Sequence, residues 1–136
     1  MKFSEIEQDK WQELAPYLDT CLLPVTGMTG QESPPEATAC LERLRDMMDM
    51  VEMPFKGRVV TYPACHYWSD GPEYSKMLAR WCEALRGAGF TYVIVLTANG
   101  SLELACEAAD LVLSPTAEGA LPEQSEVSAV IRALWS

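Results

Sequence analysis

His66, the one histidine of the chain, follows Cys65 directly in the stretch YPACHYWSDGPEY, residues 62–74. A thiol beside an imidazole has the composition of a nucleophile with its general base. The spacing works against that chemistry. In an extended segment neighbouring side chains leave on opposite faces, so adjacent residues do not meet. Three readings of His66 stay open. It is a catalytic base partnered from elsewhere, with Asp70 and Glu73 within reach along the chain. It is an imidazole bonded to backbone beside Tyr67 and Trp68. Or it binds a ligand without doing chemistry. Catalysis by His66 or Cys65 is the minor reading, and the balance leans away from an enzyme.

Other chemistry is thinly represented. Cys21, Cys40, Cys65, Cys82 and Cys106 lie about 20 residues apart with no CxxC pair. With one histidine they form no ligand set of recognised spacing, so no metal is expected. An odd number of cysteines in an ordinary globular composition reads as reduced, mostly buried thiols. The loops TGMTG, residues 26–30, and TANGS, residues 97–101, each precede an expected helix, where backbone N–H groups hold anions. Neither matches a dinucleotide or P-loop fingerprint, and no GxSxG elbow is present. No cofactor is expected.

Charge narrows the partners. The net charge is −10, and residues 1–53 carry four basic against eleven acidic side chains. Nucleic acid and anionic membrane surfaces both require a basic face, so neither is expected. Only residues 54–86 are slightly basic, with five against three, around the histidine stretch. No apolar run reaches transmembrane length, and the amino terminus lacks an apolar signal core. A soluble cytoplasmic protein is the expectation.

The elements that must position these residues follow from periodicity. Ser4 with Glu7 offers a capping box for an opening helix carrying Ile6, Trp11, Leu14 and Leu18. Residues 19–26 read as a strand, although Pro24 cannot donate to a central ladder and belongs at its end or on a side without a partner. Residues 35–53 form a helix with the stripe Ala37, Cys40, Leu41, Leu44, Met47, Met48 and Val51. RVVTYPA is a second strand. A helix then starts at Asp70 as N-cap and buries Tyr74, Met77, Leu78, Trp81, Leu85 and Ala88. TYVIVLT, residues 91–97, suits a strand buried on both faces. Residues 98–110 give a turn and a short helix, LVLS a fourth strand, and residues 121–135 a last helix starting at Pro122.

Strands alternating with helices at this spacing predict one α/β domain over residues 1–136. The expected architecture is a three-layer α/β/α Rossmann-like, flavodoxin-like domain with a four-stranded, mainly parallel sheet in the order 2-1-3-4. Ligands in such sheets collect at the carboxyl ends of the strands. The candidate ligand-binding residues there are Thr26, Gly27, His66, Trp68, Asn99, Gly100 and Ser114. Met50 and Met53 fall off the helix stripe, which leaves room for a protein partner or a homodimer.

The opening helix running into YLDTCLLPV, residues 17–25, resembles the YpiF-like family of Bacillus-type bacteria, as does the chain length, and YPACHYW is compatible with it. The resemblance implies a bacterial, cytosolic protein of unknown function and carries over no functional residue. The expectation is a non-catalytic domain that binds a partner protein or small ligand at the strand ends. The alternative is an enzyme acting on a small anionic metabolite through His66, Cys65, Asn99 and Ser114.

Overall fold

TYVIVLT is apolar on both faces and β-branched, and it becomes strand β4, Tyr92–Thr97, in the middle of the sheet. The computed structural model describes residues 1–136. The other elements are α1, Trp11–Leu14; β1, Thr20–Met28; α2, Pro34–Glu52; β2, Val59–Thr61; β3, Cys65–Tyr67; α3, Pro72–Gly87; β5, Leu111–Leu113; and α4, Gln124–Trp135. The sheet runs β2-β1-β4-β5, and β3 pairs with β1 on the same edge as β2. Every pairing is parallel. The expected strand order therefore holds, but the sheet has five strands because the edge beside β1 is divided: Cys65–Tyr67, which the sequence places in the corner after the strand RVVTYPA, pairs with β1 again.

Pro24 explains the division. Successive residues of a strand turn their backbone groups to alternate sides. On β1 the Leu22 carbonyl accepts from Tyr62 N at 2.9 Å and the Met28 carbonyl from Trp68 N at 2.8 Å. Pro24 thus presents its ring nitrogen, which has no hydrogen, to this same edge. The edge chain leaves the ladder between Thr61 and Cys65, and the register then shifts between Val25 and Met28. Pro24 is buried inside β1, on the side where its partner is interrupted.

Two cores lie on the two faces. Leu22, Ile94 and Leu96 meet Leu44, Met47 and Val51 of α2 and Val127 and Ile131 of α4. Leu23, Val25, Val93 and Val95 meet Leu78, Cys82 and Leu85 of α3. The helix over residues 34–52 follows its pattern except at Leu41, which is exposed, and its start is closed by a capping box between Ser33 and Glu36. On α3 the buried stripe is rotated from the expected one, and Met77 and Trp81 are exposed.

Three expectations fail for identifiable reasons. The opening helix is reduced to a 3₁₀ turn, Phe3–Glu5, and the four residues of α1. The chain start is held in the sheet instead: the Met1 amino group donates to Val59 O at 2.9 Å and Thr61 N donates to Met1 O at 2.8 Å. Those bonds cover the β2 edge, and tertiary pairing overrides a local capping signal. The N-cap of α3 is Gly71, not Asp70, with no side-chain cap. Residues 98–110 contain no helix. Leu102, Leu104, Cys106 and Ala108 pack on the α3-side core, while Ser101, Glu103, Ala105 and Glu107 are exposed. That period of two makes an extended strap between β4 and β5.

Candidate functional site

The carboxyl ends of β1 and β4 are the topological switch point of this sheet. Connections leave β1 for one edge through α2, and the chain returns across β1 to β4 through α3. Gly27 closes β1 with φ +78, and a Cβ there would sit 3.0 Å from Leu102 Cδ2 and 3.1 Å from Asn99 Nδ2. Only glycine suits both the backbone angle and the close approach. Asn99 Nδ2 donates to Gly27 O at 3.1 Å, and Asn99 Oδ1 accepts from Ser101 N at 3.0 Å. The amide of Asn99 stitches the two strand ends together.

Crevices open on both sides of the stitch. On the α3 side, one of about 410 Å³ is lined by Gly27, Thr29, Trp68, Asn99 and Ser101 among others. It adjoins another of about 510 Å³ between the start of α3 (Asp70, Gly71, Pro72, Ser75) and the strap (Ser101, Glu103). Trp68 contributes to both. On the α2 side, a smaller cavity of about 200 Å³ takes in Thr26, Glu32, Cys40, Arg43, Asn99 and Gly100. Arg43 is bound to the protein itself: Nε donates to Ala98 O at 2.9 Å and Nη2 donates to Gly119 O.

The structure separates Cys65 from His66. Cys65 packs on the α3-side core, and burial pushes its thiol up to about 11. His66 is exposed, and its Nδ1 lies 2.9 Å from Thr26 Oγ1. The dyad is therefore absent, as the alternation of a strand requires. The bond of His66 is to a side chain, not to backbone. Thr26, Gly27, Trp68, Asn99 and Gly100 line the crevices, whereas His66 and Ser114 are exposed and line none of the three. No three His, Cys, Asp or Glu side chains converge on a point that could hold a metal ion.

The two loops that could cradle an anion are filled from within. The Glu32 carboxylate accepts from Thr29 N at 2.9 Å and from Gly30 N at 2.9 Å. These bonds, chiefly that from Thr29, hold its carboxyl below the usual range. In the other loop Thr97 Oγ1 accepts from Asn99 N at 3.2 Å. Sequence reasoning missed Ser75 and Glu103 as lining residues. Glu103 was hidden by the helix expected there; the period-two spacing from Leu102 to Ala108 was the signal for it. Of the off-stripe methionines, Met53 is exposed and Met50 packs against the α2-side core.

Cys21 and Cys82 lie fully buried in the α3-side core. Burial pushes Cys21 and Cys82 up to about 12; a nearby thiol, Cys82 or Cys106 respectively, adds to the shift. Neutral thiols are what the fold accommodates, so their contribution is complete below the unfolded value of about 9 and is lost as pH climbs toward 12. The melting temperature should accordingly fall steeply between pH 9 and 11. Substituting Cys21 and Cys82 by alanine should flatten that fall, read by thermal denaturation across the pH series.

Parallel strands with helices on both faces place the molecule among three-layer α/β/α proteins. The chain belongs to the family of proteins of unknown function DUF2487, whose family model matches residues 9–133. Searches of curated proteins and of solved structures return no significant match. No helix is long and apolar enough to cross a membrane.

Proposed function

We propose that this chain acts as a single non-catalytic binding domain that takes a small polar ligand, or a polar group of a partner protein, at the carboxyl ends of β1 and β4. On this reading it works in the bacterial cytoplasm and belongs with the YpiF-like proteins of Bacillus-type bacteria. One observation carries the proposal. The polar side chains around the Gly27–Asn99 stitch hold the walls in place and leave polar crevices of about 410 and 510 Å³ open. Fixed walls around a polar space of that size suit recognition. The most suggestive dyad in the sequence is divided between two faces, and Cys65 is held as a neutral thiol.

A second reading is favoured by one distance. Thr26 is 4% exposed, its hydroxyl lies 2.9 Å from His66 Nδ1, and it lines the α2-side cavity. A hydroxyl so placed can pass its proton to imidazole, so this pair is the remaining seat for an enzyme acting on a small anionic metabolite. Two measurements separate the readings. Native mass spectrometry of gently purified protein should show the 15.1 kDa chain with a small adduct. A peak at twice that mass with no adduct would move the binding surface to exposed Met53 instead. In a screen of phosphate and carboxylate esters, His66→Ala and Thr26→Val should match the wild type. Turnover by the wild type that both substitutions abolish would establish the enzyme reading.

A further inference from the structure

We infer that the crevice between the start of α3 and the strap takes a small zwitterion, a molecule carrying one carboxylate and one ammonium group, as free amino acids do. The inference rests on the strand-end binding reading and gives it a place and a ligand class. The three long helices differ at their starts. In α2 the first two residues are prolines, and Ser33 Oγ accepts from Glu36 N at 3.3 Å, so no first-turn donor is left over. In α4 the Glu126 amide is bonded to Glu123 O at 3.1 Å, and the amides of Gln124 and Ser125 are left open. In α3 the cap is Gly71, Pro72 has no N–H, and the amides of Glu73 and Tyr74 find no acceptor in the protein. A Cβ on Gly71 would meet nothing within 4 Å, so the space before these amides is open. Unfilled N–H groups at a helix start attract a carboxylate.

Trp68 points to a ligand independently. It is 8% exposed and packs on Tyr74 with ring centroids 5.5 Å apart, which sets the indole beside the first turn of α3. Trp135 gives its indole N–H to Thr20 Oγ1, but no group of the protein accepts from Trp68. The one side-chain polar atom sealed from solvent without a partner is Thr61 Oγ1. The Trp68 N–H is therefore within reach of solvent, and its side chain lines both crevices. An indole N–H with no protein acceptor is free to donate to a ligand that enters.

The charges on the walls decide the ligand class. Asp70 and Glu103 line the crevice, belong to none of the ion pairs, and have no lysine or arginine among their lining neighbours. A lone anion would meet two carboxylates. A lone cation would leave the helix amides and the indole unanswered. A zwitterion places its carboxylate on the amides and Trp68, and its ammonium group on Asp70 and Glu103. Each contact is then a charge-assisted hydrogen bond.

The test is a titration of the ¹⁵N-labelled full chain, followed by amide and indole NMR shifts. The probes are an equimolar mixture of the natural L-amino acids, then acetate alone and methylammonium alone. The mixture should move the Trp68 indole and the Glu73 and Tyr74 amides, with acetate and methylammonium each binding at least about tenfold more weakly. Asp70→Asn combined with Glu103→Gln should weaken the amino-acid response about tenfold and leave that to acetate equal or stronger. Trp68→Phe, which keeps the ring against Tyr74, should weaken both. Acetate binding as tightly as the mixture would make this an anion site and end the zwitterion assignment. Shifts confined to Thr26, Gly27 and Arg43 would refute this crevice while leaving strand-end binding intact. Silence from every probe would end the zwitterion assignment; a bare native mass alongside that silence would end the wider reading as well.

Discussion

Gly27→Val should destabilise the protein by about 3 kcal/mol, the sum of a left-handed backbone and an overpacked contact. The backbone part follows from φ +78, where a β-branched residue is strained whatever surrounds it. The packing part follows from Leu102 Cδ2 and Asn99 Nδ2, at 3.0 and 3.1 Å from the position a Cβ would take. Gly30 provides the control. It has φ +93, but a Cβ there meets nothing within 4 Å, so Gly30→Val should cost only the backbone part, about 1–2 kcal/mol. Urea denaturation of both variants measures the difference. Equal losses would mean that the Gly27–Leu102–Asn99 contact relaxes freely and that the switch point is not held closed by close packing. A larger loss at Gly27 would show that the walls of the crevices are rigid, as recognition by preformed walls requires. Displacing Asn99 should also break its bond to Gly27 O and widen the cleft between β1 and β4.

The same residues show what a sequence discloses. Elements with strong periodicity were legible: the apolar run of β4, the stripe of α2 and the alternation of strand and helix that led to the order 2-1-3-4. Elements set by distant pairing were not. The start of the chain contains a plausible capping box, yet its backbone bonds to β2, nearly 60 residues away. In the strap after β4, glutamate, alanine and leucine favour a helix. The strap's alternate residues instead cover the flank of α3. Pro24 is a difficulty for a central strand on sequence alone. Its resolution needed the register of β1 against two separate edge segments. The candidate site shows the same division. Glycine, asparagine and tryptophan after strands could be placed at the sheet's carboxyl edge by topology alone. The Thr26–His66 bond joins residues 40 apart and depends on a strand register that no local pattern encodes. The free amides of α3 follow from a one-residue shift of its cap, from Asp70 to Gly71, finer than propensity resolves.

Trp135→Ala should cost about 3 kcal/mol, at the lower end for a large aromatic because the ring is only partly buried. The ring closes the sheet at the end opposite the crevices. Its Nε1 donates to Thr20 Oγ1 at 2.9 Å, it meets Phe55 edge-on at 5.0 Å, and the Arg58 guanidinium lies 4.1 Å from its centroid. Arg58 is fixed there by a two-pronged pair with Asp19, at 2.8 and 3.0 Å. Alanine removes the packing and the cation–π contact together. Phenylalanine keeps the ring and loses the N–H, so Trp135→Phe should cost about 1 kcal/mol. Thermal denaturation gives both numbers, and a cycle with Arg58→Ala isolates the contact between guanidinium and ring. Similar losses from alanine and phenylalanine would assign the effect to the Thr20 bond instead. Because β1 separates this cluster from Gly27, Trp135→Phe should melt earlier and yet keep the wild-type response of Trp68, Glu73 and Tyr74 to amino acids. A variant that lost both together would mean that the crevices form only when the far end of the sheet is closed.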